Sequence, residues 1–324
     1  MKLKRRHSWL LPALPILGLG AFMGWKSWRI ASELLDPPFY HAQPISRVEA
    51  TYRELAKGAE GDPGGTWSKE PVGNLELWRF RRPFPSPGVV LLLHGFGDDR
   101  WGTSPALKYF PQLDAAIFTY RRRDDAQRAQ GPVPPVTFGA EEAREVVRVV
   151  HHLEAAGIPR QRILLMGRSL GASIGVLALA DLEREGRGGL GGFIWEGAPA
   201  SSRSFAERLV RGPEDLWWHT LAPAIGAIAA RAAGWRGHYN PADTDLLRRA
   251  QGLRFSTPSL CFLATQDRLA PPEIQRALAS QFASSRVVEV ATWHLHCAEV
   301  IGPAYPEAIH QAVEDWLPPP VRRP

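Results

Sequence analysis

The sequence predicts an α/β fold: a mostly parallel sheet flanked by helices, with a helical cap insertion and an N-terminal membrane helix ahead of the domain. Three observations carry this. From Asn74 onward strand and helix signals alternate, the order that builds a parallel sheet covered on both faces. Short runs such as Val89–Leu93 (VVLLL) have no polar face, as expected of strands buried on both sides. The stretch from about Ala198 to Thr257 then breaks the alternation and is too long for a simple connection.

The elements follow in order. Basic residues precede an uncharged stretch from Trp9 to Trp25, which Lys26 ends. Its 17 residues exceed the apolar region of a secretory signal, and no convincing cleavage site follows. Residues 1–30 are therefore expected to be a retained signal-anchor or transmembrane segment, with a cleaved signal the second reading and a buried helix of the domain the third. The cations hold the N-terminus in the cytoplasm and the rest of the chain outside. Residues 31–73, rich in Pro, Gly and polar side chains, read as a linker and irregular lead-in, with a short helix around Val48–Lys57. The domain spans 74–324. Strands are expected at Leu75–Phe80, Val89–Leu93, Ala115–Tyr120, Ile163–Met166, Leu190–Trp195, Ser259–Ala264 and Val287–Ala291. Helices are expected at Ala140–Ala156, where Val146, Val149, Val150 and Leu153 recur at helical spacing, and at Ala172–Leu182, Pro272–Phe282 and Tyr305–Trp316. The segment 198–257 reads as the cap, and its apolar Leu216–Trp235 could pack on the core, line an acyl pocket or touch a bilayer.

Charge excludes one function class. The chain has 39 Lys and Arg against 33 Asp and Glu, but Lys2, Lys4, Arg5, Arg6, Lys26 and Arg29 all lie within its first 29 residues. Without those six the chain is neutral, so no nucleic-acid surface is expected on the domain. Arg121-Arg122-Arg123 is followed at once by Asp124-Asp125 and reads as a solvated loop. Cys261 and Cys297 are the only cysteines, too few for a disulfide framework, and read as free thiols.

The chemistry centres on Gly167-Arg168-Ser169-Leu170-Gly171, between the strand ILLM and the helix ASIGVLALA. In a chain with 30 glycines the pattern alone is weak. Its strand–turn–helix setting is what a nucleophile elbow requires: a tight turn lifts the serine hydroxyl clear, and Gly167 and Gly171 remove side chains that would collide with backbone. His94-Gly95-Phe96-Gly97-Asp98 follows the VVLLL strand directly.

Together, the strand–HGFG and strand–GRSLGA pairs resemble the α/β-hydrolase superfamily. The closer likeness is to its membrane-anchored, esterase- or serine-aminopeptidase-like bacterial branch. The resemblance covers roughly residues 74–317. It implies a Ser…Asp…His catalytic order with Ser169 as nucleophile, and an oxyanion hole from the amides of Phe96 and Leu170. Gly95 and Gly97 would shape that turn, and His94 would fix the loop rather than move a proton. The acid is expected just past the strand after the cap. Asp267 stands there, followed by a Pro at the usual spacing, with Glu196 the alternative. The base is expected after the last strand, where His294 and His296 compete. Counting from the strand favours His296, and His294 remains the alternative.

The implied activity is hydrolysis of a carboxylic ester, acyl or lipid-like, through an acyl-enzyme. A peptidase or amidase with the same triad is the second reading, and a catalytically silent, membrane-attached binding module the third. No cofactor is implied. The His-x-His-Cys run lacks further ligands at recognisable spacing, so no metal is expected. The expected partners are a small-molecule or lipid ester and a membrane.

Overall fold

Among the described residues eight strands form one sheet, in the order β1(Thr66–Val72), β2(Leu75–Arg81), β4(Asp114–Ile117), β3(Val89–Leu93), β5(Ile163–Arg168), β6(Gly192–Glu196), β7(Ser259–Ala264) and β8(Ser285–Val290). The first two contacts, β1–β2 and β2–β4, are antiparallel; all others are parallel. The computed structural model describes residues 10–37, 64–123, 131–212 and 217–319.

Side-chain alternation explains why these runs are apolar throughout. Along β3, Val89, Leu91 and Leu93 enter one core layer, while Val90 and Leu92 enter the other. Likewise, Phe193 and Trp195 of β6 face one layer and Ile194 the opposite one. The first layer receives α1(Leu10–Leu35), α2(Glu142–Ala155), α3(Leu170–Arg184), α4(Ser202–Arg211) and α5(Ala222–Gly237). The second is covered chiefly by α7(Ala304–Trp316), through Tyr305, Ile309 and Val313. Between them in sequence, α6(Pro272–Ala279) packs on β7 and β8.

Several expectations are corrected. The lead-in is not irregular at its end, because Thr66–Val72 forms an edge strand with Trp67 opposite Phe80. Only Trp67 and Val72 of this strand are fully buried, so its composition resembles a loop. The N-terminal helix does not stop at residue 30. It continues to Leu35, and Ile30, Ala31, Leu34 and Leu35 sit in the core against α5. The Ser27 hydroxyl donates to the Ile225 carbonyl at 3.2 Å, and Arg236 donates to Ser32 at 2.9 Å. These four apolar residues recur at helical spacing beyond Lys26, which makes the helix part of the domain. Among the described residues no helix is long and apolar enough to cross a membrane. Arg123 is not solvated: it is buried, bonded to the Pro134 carbonyl and paired with Asp36 just after α1. The helix expected at Val48–Lys57 and the side chains of Leu216, Trp217 and Trp218 lie outside the described residues.

The cap segment is mainly helical. After α4 and α5 it continues through Pro241–Thr244 and Leu246–Ala250 before β7. Helix α4 begins with a reciprocal cap between Ser201 and Ser204. It carries Phe205 into an aromatic group with Phe96 and Phe138, ring centroids 4.9–5.2 Å apart. This contact seats the cap directly on the turn that follows β3.

Candidate active site

The elbow forms at the C-terminal end of β5. Ser169 takes φ 52° and ψ −126°, a strained conformation for a side-chain-bearing residue, and its N–H donates to the Glu196 carbonyl at 2.9 Å. Glycine is required on both sides. A Cβ on Gly167 would lie 2.5 Å from the Gly171 carbonyl oxygen, and one on Gly171 would lie 2.1 Å from that of Leu93. Strand β5 therefore approaches both β3 and the start of α3 closely enough to lift the Ser169 hydroxyl above the sheet.

The loop after β8 supplies a histidine, and it is His294. Its Nε2 lies 3.0 Å from Ser169 Oγ, and its Nδ1 lies 2.6 Å from Asp267 Oδ2. Asp267 is buried. Its other oxygen accepts the N–H groups of Leu269 and Ala270 at 2.8 and 2.9 Å, which fixes the carboxylate as an acceptor. The preference for His296 is corrected. That ring points outward, its side chain is 52 % exposed, and Nδ1 bonds Glu299 at 2.7 Å. The chain turns sooner than strand counting assumes: β8 ends at Val290, Thr292 N–H bonds back to the Val290 carbonyl, and Gln266 N–H bonds the Thr292 carbonyl.

Glu196, the alternative acid, also has other partners. It accepts from Arg168 Nε at 3.1 Å, from Cys297 N–H at 3.1 Å and from the Tyr305 hydroxyl at 3.2 Å. Sequence reasoning gave no role to Arg168 or Tyr305; an arginine inside the elbow and a glutamate ending the next strand were the available signal.

The turn after β3 lies beside the elbow. A Cβ on Gly95 would be 3.8 Å from Ser169 Cβ, and Gly97 uses φ 74°, open to glycine. The His94 ring is tied to backbone at both nitrogens, through the Gly95 carbonyl at 3.0 Å and the Tyr120 N–H at 3.2 Å. Burial lowers its pKa to about 3, so the ring is neutral near pH 7 and holds the loop. Leu170 is the first residue of α3, where amides have no partner within the helix. Burial raises the Asp98 carboxyl, in the same turn, to about 6.

A cleft of about 450 Å³ opens over Ser169 and His294. Leu92, Phe96, Tyr109, Met166, Phe205 and Leu269 give it apolar walls, and Asp98, Lys108 and Arg168 add polar groups. Among the described residues no cluster of His, Cys, Asp or Glu is arranged to hold a metal. Cys261 and Cys297 are free and buried, and burial pushes both thiols well above their ordinary range.

No protein-family model matches the sequence, and no curated protein matches it. Solved structures do. The esterase Pf2001 of Pyrococcus furiosus superposes with a TM-score of 0.55 at 14% identity, over 81% of this chain and 97% of that one. EstE5, in a crystal soaked with p-nitrophenyl butyrate, gives 0.54 at 16% identity over 90% and 95%. Esterase E25 gives 0.54 at 15% over 90% of each chain. At these identities the shared property is the architecture. The chain has the architecture of these esterases, an α/β-hydrolase fold.

Proposed function

We propose that the chain is a serine esterase acting through Ser169, His294 and Asp267. The observation that carries this is the unbroken hydrogen-bonded line from Asp267 through His294 to Ser169 at the floor of an apolar cleft. In the proposed mechanism His294 Nε2 takes the hydroxyl proton as Ser169 Oγ attacks an ester carbonyl, while Asp267 accepts the Nδ1 proton bond and fixes the tautomer. The Phe96 and Leu170 N–H groups receive the oxyanion. Collapse expels the alcohol, which takes its proton from His294, and water then repeats the sequence to free the acid. The apolar walls suit an acyl chain, and the structural neighbours are esterases, which favours an ester over a peptide.

The deciding experiment is labelling with a fluorophosphonate probe. Folded wild type should label and Ser169→Ala should not, with hydrolysis falling about 10⁴-fold or more. A folded, unlabelled wild type would support the silent binding module instead. A panel of p-nitrophenyl esters of rising chain length against aminoacyl anilides then separates esterase from peptidase; faster anilide cleavage would overturn the ester assignment.

Attachment to a lipid surface is a second part of the proposal. Leu17 and Leu19 on α1 are exposed, as are Trp25 and Trp28 on α1 and Trp235 on α5, the last at 75 %. Arg29 lies 5.5 Å from the Trp25 ring and Arg236 lies 4.3 Å from that of Trp28, so cations and indoles share one face. That combination suits the headgroup region of an anionic bilayer. Flotation of the full chain with phosphatidylglycerol-containing vesicles tests it; no flotation would reject it.

A further inference from the structure

The elbow and the base belong to segments 125 residues apart, yet one ion pair, buried at its carboxylate and partly exposed at its guanidinium, touches both. Arg168 immediately precedes Ser169 and lies opposite Glu196 in the β5–β6 register. Its Nε donates to Glu196 Oε2 at 3.1 Å, and its Nη2 donates to the Leu295 carbonyl at 2.6 Å. Leu295 follows His294 directly and is held at φ 63°, a left-handed conformation that strains a leucine. Glu196 completes the hold from the other side, accepting from Cys297 N–H, while its own carbonyl accepts the N–H of Ser169. Tyr305 on α7 donates to the same carboxylate and stacks on Phe262 of β7 with centroids 4.0 Å apart. A carboxylate only 1 % exposed is tolerable because each oxygen is bonded.

We propose that Arg168 and Glu196 are a positioning pair: they lock residues 295–297 in a strained turn and so keep His294 in line with Ser169. The pair touches neither the reacting hydroxyl nor the imidazole and acts through Leu295, Cys297 and the Ser169 N–H. Burial lowers the Arg168 pKa, but the Glu196 charge, the hydrogen bond to it and the nearby Tyr305 and Tyr109 together outweigh burial and hold the guanidinium above its ordinary value, so Arg168 stays charged. Glu196 thereby has a structural task on the base loop, which explains a charged residue buried at the end of a central strand.

This inference rests on the Ser169–His294–Asp267 assignment, and the test separates the two. Fluorophosphonate labelling rates, kcat and KM for p-nitrophenyl butyrate, and Tm are measured for wild type, Arg168→Met, Arg168→Lys and Glu196→Gln. The Arg168 side chain is partly exposed, so Arg168→Met should fold even if Glu196→Gln does not. Loss of the pair should lower kcat and labelling about 10- to 100-fold with KM within about twofold, and Lys, which restores the charge, should recover much of it. Wild type that labels while Arg168→Met labels at the same rate would overturn the positioning role alone. A rise in KM with unchanged kcat would also overturn it, making Arg168 a cleft-lining contact. Wild type that folds and never labels would overturn the triad itself.

Discussion

The loop at residues 294–297 and the layer formed by α1 and α5 sit on the same sheet but are held by opposite means. The loop is fixed by directional bonds: a carboxylate on His294, a guanidinium on Leu295 and a second carboxylate on Cys297. It accepts a left-handed leucine to do so. The helix pair is held chiefly by close apolar contact, with two hydrogen bonds, Ser27 to Ile225 and Arg236 to Ser32, beside it. A Cβ on Gly237 would come within 2.7 Å of Leu35, and Ile225, Ala229 and Ala233 are buried beside Ile30 and Leu34. A proton-transfer geometry must be held to a few tenths of an ångström, which polar bonds do and apolar packing does not. Burying a helix needs only area and shape.

The sharpest way to break this contrast uses the two histidines of the loop itself. His294→Ala should lower kcat about 10³-fold or more on p-nitrophenyl butyrate, whereas His296→Ala should stay within about threefold. Equal losses would mean that the loop is not fixed as drawn and that either ring can serve.

How much was legible follows from where the information lies. The elbow was readable because steric exclusion writes glycine at 167 and 171, on either side of the serine. Asp267 was readable because it stands just past a strand and precedes a proline turn. The histidine that meets Ser169 was not, because the immediate reversal at Thr292 is made by backbone bonds to Val290 and Gln266 that no side chain announces. Counting along the chain therefore overshot by two residues. Strand β1 was missed for a related reason: it is an antiparallel edge whose exposed residues, Thr66, Lys69 and Pro71, read as loop. The task of Glu196 needs the Arg168 and Cys297 contacts together, and these join distant parts of the sequence.

The helix pair gives the complementary test. Leu34 is fully buried against α5, so Leu34→Ala should cost about 2–5 kcal/mol in denaturant unfolding while leaving kcat/KM of the remaining folded protein unchanged. A loss of kcat at full folding would show that α1 reaches the catalytic end.

Acidity separates the layers further. Glu145 on α2 lies in the helical layer, accepts the Arg121 N–H at 2.7 Å, and is raised by burial from 4.5 to about 7. The folded state therefore keeps a proton that the unfolded chain has released. Stability from this group is fully present below about pH 4.5 and is lost as pH rises toward 7, at about 1.4 kcal/mol per unit. Glu145→Gln should flatten the Tm profile over that window, and an unaltered slope would assign it elsewhere.

The smallest effect compares two glycines, one beside each region. Gly197 follows β6 at φ 65° and Gly212 ends α4 at φ 59°, so alanine at either should cost about 1–2 kcal/mol in backbone strain. Their surroundings differ. A Cβ at 212 meets nothing within 4 Å, whereas one at 197 would lie 2.8 Å from His294 Cε1 and 3.0 Å from Nδ1. Strain alone therefore predicts equal losses in Tm and no difference in turnover. If polar fixation of the ring governs the chemistry, Gly197→Ala must also displace the imidazole from Asp267 and Ser169, and kcat should drop about tenfold while Gly212→Ala keeps it. Matching kcat values for the two variants would mean that the His294 ring can shift without loss, and the contrast between a fixed loop and a packed helix pair would fail at its centre.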